Sequence, residues 1–207
     1  MKKNVISVCF IIMLIFIIGI MSYKVIFYEK LWIDTVISDF VDSIRCNWLD
    51  FFMKFITSFG NTTTIIILLS LVLWLFVKMI NNKKLAIFFL GSMICNVFLN
   101  QSIKFLVRRD RPIYNLINVG GFSFPSGHAM ISMAFYGFLV YLFYKLIDKE
   151  MLRLALIGIF SLLILLIGFS RIYLGVHYFS DVVVGFSVSL LYLFFCCKLM
   201  KKLEIIT

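Results

Sequence analysis

The sequence predicts an all-α membrane protein: a six-helix transmembrane bundle with an interfacial amphipathic helix between the first and second spans. Three observations predict it. Of 207 residues, 63% are hydrophobic, against roughly 45–50% in a soluble domain. The apolar residues gather in runs long enough to cross a bilayer, which takes about 20 residues. Two prolines and 11 glycines in the whole chain argue against a fibrous or disordered polymer.

The elements follow in chain order. Residues 5–27 form one apolar run after Met1-Lys2-Lys3. It is longer than the core of a signal peptide and no small-residue cleavage pattern follows, so it reads as an uncleaved first span. Between Tyr28 and Asn61, apolar Ile33, Val36, Ile37, Phe40, Val41 and Ile44 recur at helical spacing. Asp34, Ser38 and Asp42 fall on the other face, and Trp32 and Trp48 flank the segment. That pattern suits a helix lying in the membrane interface; a cap packed over the bundle fits it equally. Five further spans are expected at 62–80, 85–103, 129–147, 152–170 and 182–199. No linker or repeat divides the chain, which reads as a single domain over 1–207.

The formal net charge is +10. In a soluble protein that balance would suggest nucleic acid; here membrane topology and a site account for it, and no nucleic acid is expected. With the N-terminus inside, Lys2, Lys3, Lys83, Lys84, Lys149, Lys201 and Lys202 all lie on the cytoplasmic side. The positive-inside rule thus places both termini in the cytoplasm of a multi-pass cell-membrane protein. It leaves the loops 104–128 and 171–181 together on the outside, where a second basic cluster needs another explanation. The five cysteines are odd in number and have neither disulfide nor zinc spacing.

Three clusters carry that explanation: Lys104 with Arg111-Pro112, then Pro125-Ser126-Gly127-His128, then Ser170-Arg171 with His177 and Asp181. Each sits at a junction between an outer loop and a helix, and both histidines of the chain fall inside them. Lys104, Arg111 and Arg171 match a dianionic phosphate group, Arg as a planar fork and Lys as a point charge. Ser126 and Gly127 precede a helix, where a hydroxyl and a backbone N–H can meet an anion. His177 and Asp181, four apart, share a face if both lie on a helix. A carboxylate that accepts one imidazole N–H frees the other nitrogen to attack. His128 then remains to protonate a leaving alkoxide. No carboxylate cluster is present to hold a metal, and no cofactor is expected. Arg108 and Arg109, beside the first cluster, read as lipid-headgroup anchors. Asn96, Asn100 and Lys104 form a polar stripe on the third span, facing the bundle. Gly185 and Ser189, four and eight residues after Asp181, read as close-packing positions, and Gly120-Gly121 as a hinge or a turn.

The clusters resemble the three-part signature of the type 2 phosphatidic acid phosphatase (PAP2) superfamily, KX6RP, PSGH and SRX5HX3D, and every signature position is present between Lys104 and Asp181. The resemblance implies a metal-independent phosphatase with His177 as nucleophile, Asp181 as its partner and His128 as acid. Lys104, Arg111, Ser126, Gly127 and Arg171 would bind phosphate. The spanning helices exclude the soluble acid phosphatases and haloperoxidases that share the signature. The expected activity is hydrolysis of a lipid phosphate or pyrophosphate at the outer leaflet, through a phosphohistidine. Undecaprenyl pyrophosphate, phosphatidylglycerophosphate and phosphatidic acid all fit. A phosphotransferase with a hydroxyl acceptor is the alternative, followed by a non-enzymatic lipid or anion carrier. The sequence does not speak to oligomeric state.

Overall fold

The computed structural model describes residues 2–28, 31–113 and 115–205. All regular elements among them are helices: α1 Lys2–Phe27, α2 Trp32–Ser43, α3 Asn47–Ser58, α4 Thr62–Lys78, α5 Lys83–Val107, α6 Gly127–Leu146, α7 Glu150–Tyr173 and α8 Phe179–Lys202. With no water in the bilayer core, each span must satisfy its own backbone, and a helix does so within one segment.

Helices α1, α5, α6, α7 and α8 have spanning length and hydropathy, and α3 with α4 forms a sixth, broken by a 46° bend at residues 59–61. The amphipathic helix expected over residues 33–44 is α2, and the rest of that inter-span segment forms a further helix, α3, that was not expected. The α2 helix ends at Ser43, and Trp48, expected as a flank, lies in the first turn of α3. These helices cap the bundle as well as facing outward. Val41, Met53 and Ile56 are buried against it, while Trp32, Trp48, Phe51 and Phe55 remain exposed. Tyr173 pins the cap to α7: its hydroxyl donates to Asp50 Oδ1 at 2.7 Å, and its carbonyl accepts from Arg45 Nη2 at 3.2 Å.

Lipid tails are as apolar as leucine, so contact and polar glue decide how spans pack. Phe89 stacks on Phe138 with centroids 4.4 Å apart, inside a core that includes Phe76, Leu85, Phe135 and Ile167. Asn96 on α5 donates to Ser189 Oγ on α8 at 2.8 Å. Asn82 caps α5 by accepting from Leu85 N at 2.9 Å and ties it to the C-terminal segment by donating to Ile205 O at 2.8 Å. The end of α5, the start of α6, the end of α7 and the start of α8 meet at one end of the bundle. The α3–α4 elbow lies over them.

Candidate active site

The chain turn after α7 brings the third cluster together. His177 precedes α8 instead of lying in its first turn, while Asp181 lies inside that turn. The pair still meets: His177 Nδ1 is 3.4 Å from Asp181 Oδ2. Both side chains are buried. No better-placed acceptor satisfies Nδ1, and catalytic hydrogen bonds are often long before substrate binds. The opposite nitrogen, Nε2, is 3.2 Å from Arg111 Nη1. A guanidinium can only donate, so Nε2 accepts and the ring proton sits on Nδ1, facing the carboxylate. Burial pushes the imidazole down to about 4, against the upward pull of Asp181. A neutral ring with its lone pair on Nε2 is the form able to attack phosphorus.

The cations line a cavity of about 610 Å³, which also takes in Gly127, His128 and His177. Arg171 is buried and donates from Nη1 to Thr57 Oγ1 at 2.7 Å, while its Nε has no acceptor among the described residues. Lys104 Nζ donates to Phe122 O at 2.5 Å. Arg111 engages all its donors: Gly121 O, Val176 O, His177 Nε2, Gly120 O and Phe122 O. The Gly120-Gly121 segment is thus clamped by the guanidinium, and Gly121 takes a left-handed φ of 74°. Ser126 is placed differently from expectation. It is fully buried, its Oγ accepts from Ala129 N at 3.5 Å as the cap of α6, and it does not line the cavity. Its N–H donates to Asp181 O at 3.0 Å, which locks the second cluster to the third. Gly185 permits this contact, because a Cβ there would lie 3.0 Å from Ser126 O.

Arg109 corrects an expectation. It is no headgroup anchor: its side chain is 7% exposed and forks between two carboxylates. Its Nη1 donates to Asp181 Oδ1 at 2.6 Å and to Ser180 Oγ at 2.8 Å; its Nη2 donates to Asp34 Oδ2 at 2.7 Å. Asp34, expected on the polar face of α2, is buried and also accepts from Ser180 N at 2.8 Å. Tyr178 N donates to Asp181 Oδ2 at 3.0 Å. Burial alone would weaken the charge of Arg109, but Asp181 and Asp34 more than offset it and hold the guanidinium protonated. Asp181 is therefore oriented by a buried array, one guanidinium shared between two carboxylates, that begins on the cap helix. Arg108 stays exposed, with Nε donating to Phe105 O at 3.0 Å.

His128 stands on the first turn of α6 and lines the same cavity as His177, with Nε2 2.9 Å from Asn61 Oδ1. Asn100, on the polar stripe of α5, donates to Pro125 O at 3.4 Å and supports the PSGH turn. Among the described residues no three His, Cys, Asp or Glu side chains converge on a metal-sized point.

The PAP2 superfamily model matches residues 85–205. Phosphatidylglycerophosphatase B of Bacillus subtilis (strain 168) is 34% identical over 174 residues, covering 80% of this chain and 81% of the relative. The chain belongs to the PAP2 superfamily. The fold agrees: the crystal structure of the first transmembrane PAP2 type phosphatidylglycerolphosphate phosphatase from Bacillus subtilis has a TM-score of 0.83 at 27% identity, covering 94% of this chain and 97% of that one. Aquifex aeolicus LpxE shares the fold with a TM-score of 0.63 at 24% identity, over 84% and 98% of the two chains. This PAP2 protein is a multi-pass membrane phosphatase. Its signature residues all lie at one end of the bundle, but the signature does not contain the groups that hold them. Thr57, Asn61 and Asp34 lie upstream of the PAP2 match, on the cap and elbow. Asp34 stands in the first turn of α2, but nothing in the sequence told it from Asp39 and Asp42 on the same helix, which are exposed.

Proposed function

We propose that this phosphatase hydrolyses the terminal phosphate of a phosphatidylglycerophosphate-type lipid at the outer leaflet, through a phosphohistidine on His177. The cavity carries the reading. Its polar end holds Lys104, Arg111, Arg171 and both histidines, and its other end runs between α4 and α5 along Ile65, Leu69, Leu73, Met93 and Val97. Ile66, Ile94 and Val97 on its rim are exposed on the bundle surface, where lipid would lie. A phosphate at one end and an acyl chain leaving sideways into the bilayer fill both parts.

The chemistry follows from the placement. An arriving phosphate offers better acceptors to Arg111 than backbone carbonyls do, so the guanidinium turns from His177 Nε2 onto the phosphate oxygens and uncovers the lone pair. Nε2 attacks phosphorus while the Nδ1 proton stays on the side of Asp181. The bond from phosphorus to the lipid oxygen breaks, and His128 supplies the proton to that oxygen. Water, deprotonated by the now neutral His128, then displaces phosphate from His177. Arg171, Lys104, Arg111 and the Gly127 N–H at the start of α6 balance the charge that gathers on the equatorial oxygens.

The test is phosphate release by purified protein from phosphatidylglycerophosphate, phosphatidic acid and undecaprenyl pyrophosphate, with excess EDTA present. Phosphatidylglycerophosphate is expected to turn over fastest and EDTA to leave the rate unchanged. Release from only one of the other lipids would replace the substrate. Loss in EDTA that magnesium restores would refute the metal-free mechanism.

The leaflet is checked separately. In a variant without native cysteines, a cysteine at exposed Asn118, near the site, is expected to react with an impermeant thiol reagent in intact cells. One at exposed Asp148, at the opposite end in the α6–α7 turn, is expected to stay unlabelled. The reverse pattern would put the site in the cytoplasm.

A further inference from the structure

We infer that Asn61, on the α3–α4 elbow, is the positioning residue of His128, doing for the acid what Asp181 does for the nucleophile. The inference rests on the reading of His128 as the proton donor. In its donating form His128 carries hydrogen on both ring nitrogens. One must face the leaving oxygen, so the other needs an acceptor, and Asn61 Oδ1 stands 2.9 Å from Nε2. The cavity-facing nitrogen is then Nδ1.

Three further observations point the same way. Asn61 occupies the N-cap position of α4, where asparagine ordinarily accepts from the helix N–H groups, yet its side chain caps nothing. The side chain is committed to His128 instead. Next to it, Gly60 leaves the space that the ring uses: a Cβ there would lie 2.8 Å from His128 Cδ2 and 2.9 Å from Ile167 Cγ2. The elbow is also fixed to the helix that bears His128, because Tyr136 on α6 donates from its hydroxyl to Phe59 O at 2.8 Å.

The two orienters differ in charge, and the difference suits the two tasks. Asp181 is an anion; it stabilises the cationic ring that develops on His177 as the nitrogen attacks. Asn61 is neutral; it fixes the His128 ring without stabilising the imidazolium, so the proton is released readily to the alkoxide. The bend that breaks the second span thus places an orienting acceptor over the leaving-group side of the cavity.

The experiment compares kcat/KM for a short-chain phosphatidylglycerophosphate, whose alkoxide must be protonated, with p-nitrophenyl phosphate, whose phenolate needs little help. The enzymes are wild type, His128→Ala, Asn61→Ala and Asn61→Asp, each checked for its elution position in detergent. His128→Ala is expected to lose roughly 10²-fold or more on the lipid and far less on the phenyl ester. Asn61→Ala is expected to lose about 10-fold on the lipid and under about 3-fold on the phenyl ester, the same selectivity on a smaller scale. Asn61→Asp keeps an acceptor oxygen but adds a charge that holds the proton on the ring, so it is expected to recover only part of that loss and to move the basic limb of the lipid pH profile to higher pH. If His128→Ala loses equally on both substrates, the donor assignment itself fails. If His128→Ala is selective but Asn61→Ala is wild-type or equally impaired on both, the positioning role is overturned.

Discussion

Replacing His177 by alanine is expected to abolish phosphate release, by at least about 10⁴-fold, while the bundle remains folded. Knocking out the nucleophile of a comparable assembly removes nearly all chemical acceleration and leaves only binding. Here nothing stands ready to replace it: the other histidine is engaged with Asn61. The fold should tolerate the change, because His177 lies in the turn before α8 and makes no aligned hydrogen bond through Nδ1. Removing the ring vacates volume beside Arg111, which keeps its four carbonyl partners on Gly120, Gly121, Phe122 and Val176. The measurement pairs turnover on the lipid with the melting temperature in detergent. A second readout is acid-labile phosphate on the protein after rapid quenching, present in wild type and missing from the variant. Turnover close to wild type would end the phosphohistidine mechanism.

Arg109→Leu should be the most damaging change outside the signature. Its guanidinium is buried between Asp34 and Asp181, at 2.7 and 2.6 Å. Breaking a buried pair by removing one partner costs about 3–5 kcal/mol, because the remaining charge is left without compensation. Two carboxylates are stranded here, so at least one must take up a proton or draw in water. If Asp181 does so, it no longer orients His177, and activity falls with stability. The expected result is a melting temperature several degrees lower and turnover reduced by at least about 10²-fold. Arg109→Lys separates the two effects. A lysine keeps the charge but not the planar fork that spans both carboxylates, so it should restore much of the stability and little of the activity. Wild-type melting and turnover in Arg109→Leu would return this residue to the surface-anchor role that its sequence context suggested.

That mistaken context shows what a linear reading can and cannot reach. Hydropathy is a property of consecutive residues, so the spans could be read from the chain directly. Their ends moved by a few residues: α5 runs on to Val107 and carries Lys104, and α7 runs on to Tyr173 and carries Arg171. The three clusters were equally legible as motifs, because their spacings are fixed along one chain, and the structure brings Lys104, Arg111, Gly127, His128, Arg171 and His177 to one cavity. The broken second span was not, because a helix bend at Phe59, Gly60 and Asn61 leaves no proline to mark it.

Arg108 and Arg109 mark the boundary between the two kinds of information. They are chemically identical neighbours, and no property of the sequence separates them. The structure does so with one turn of backbone: Arg108 ends α5 at φ 53° and ψ 35°, and that left-handed residue redirects the chain so that one side chain returns to Phe105 O while the next enters the bundle. Asp34 and Asn61 are the same kind of case, with partners 146 and 67 residues away at Ser180 and His128. The amino-acid sequence by itself determined the membrane-spanning, all-helical form and the phosphate chemistry, because both rest on residue type and local spacing. The tertiary structure alone decided which polar residues orient that chemistry, because a buried charge or acceptor takes its role from whatever helix packing places within hydrogen-bond reach.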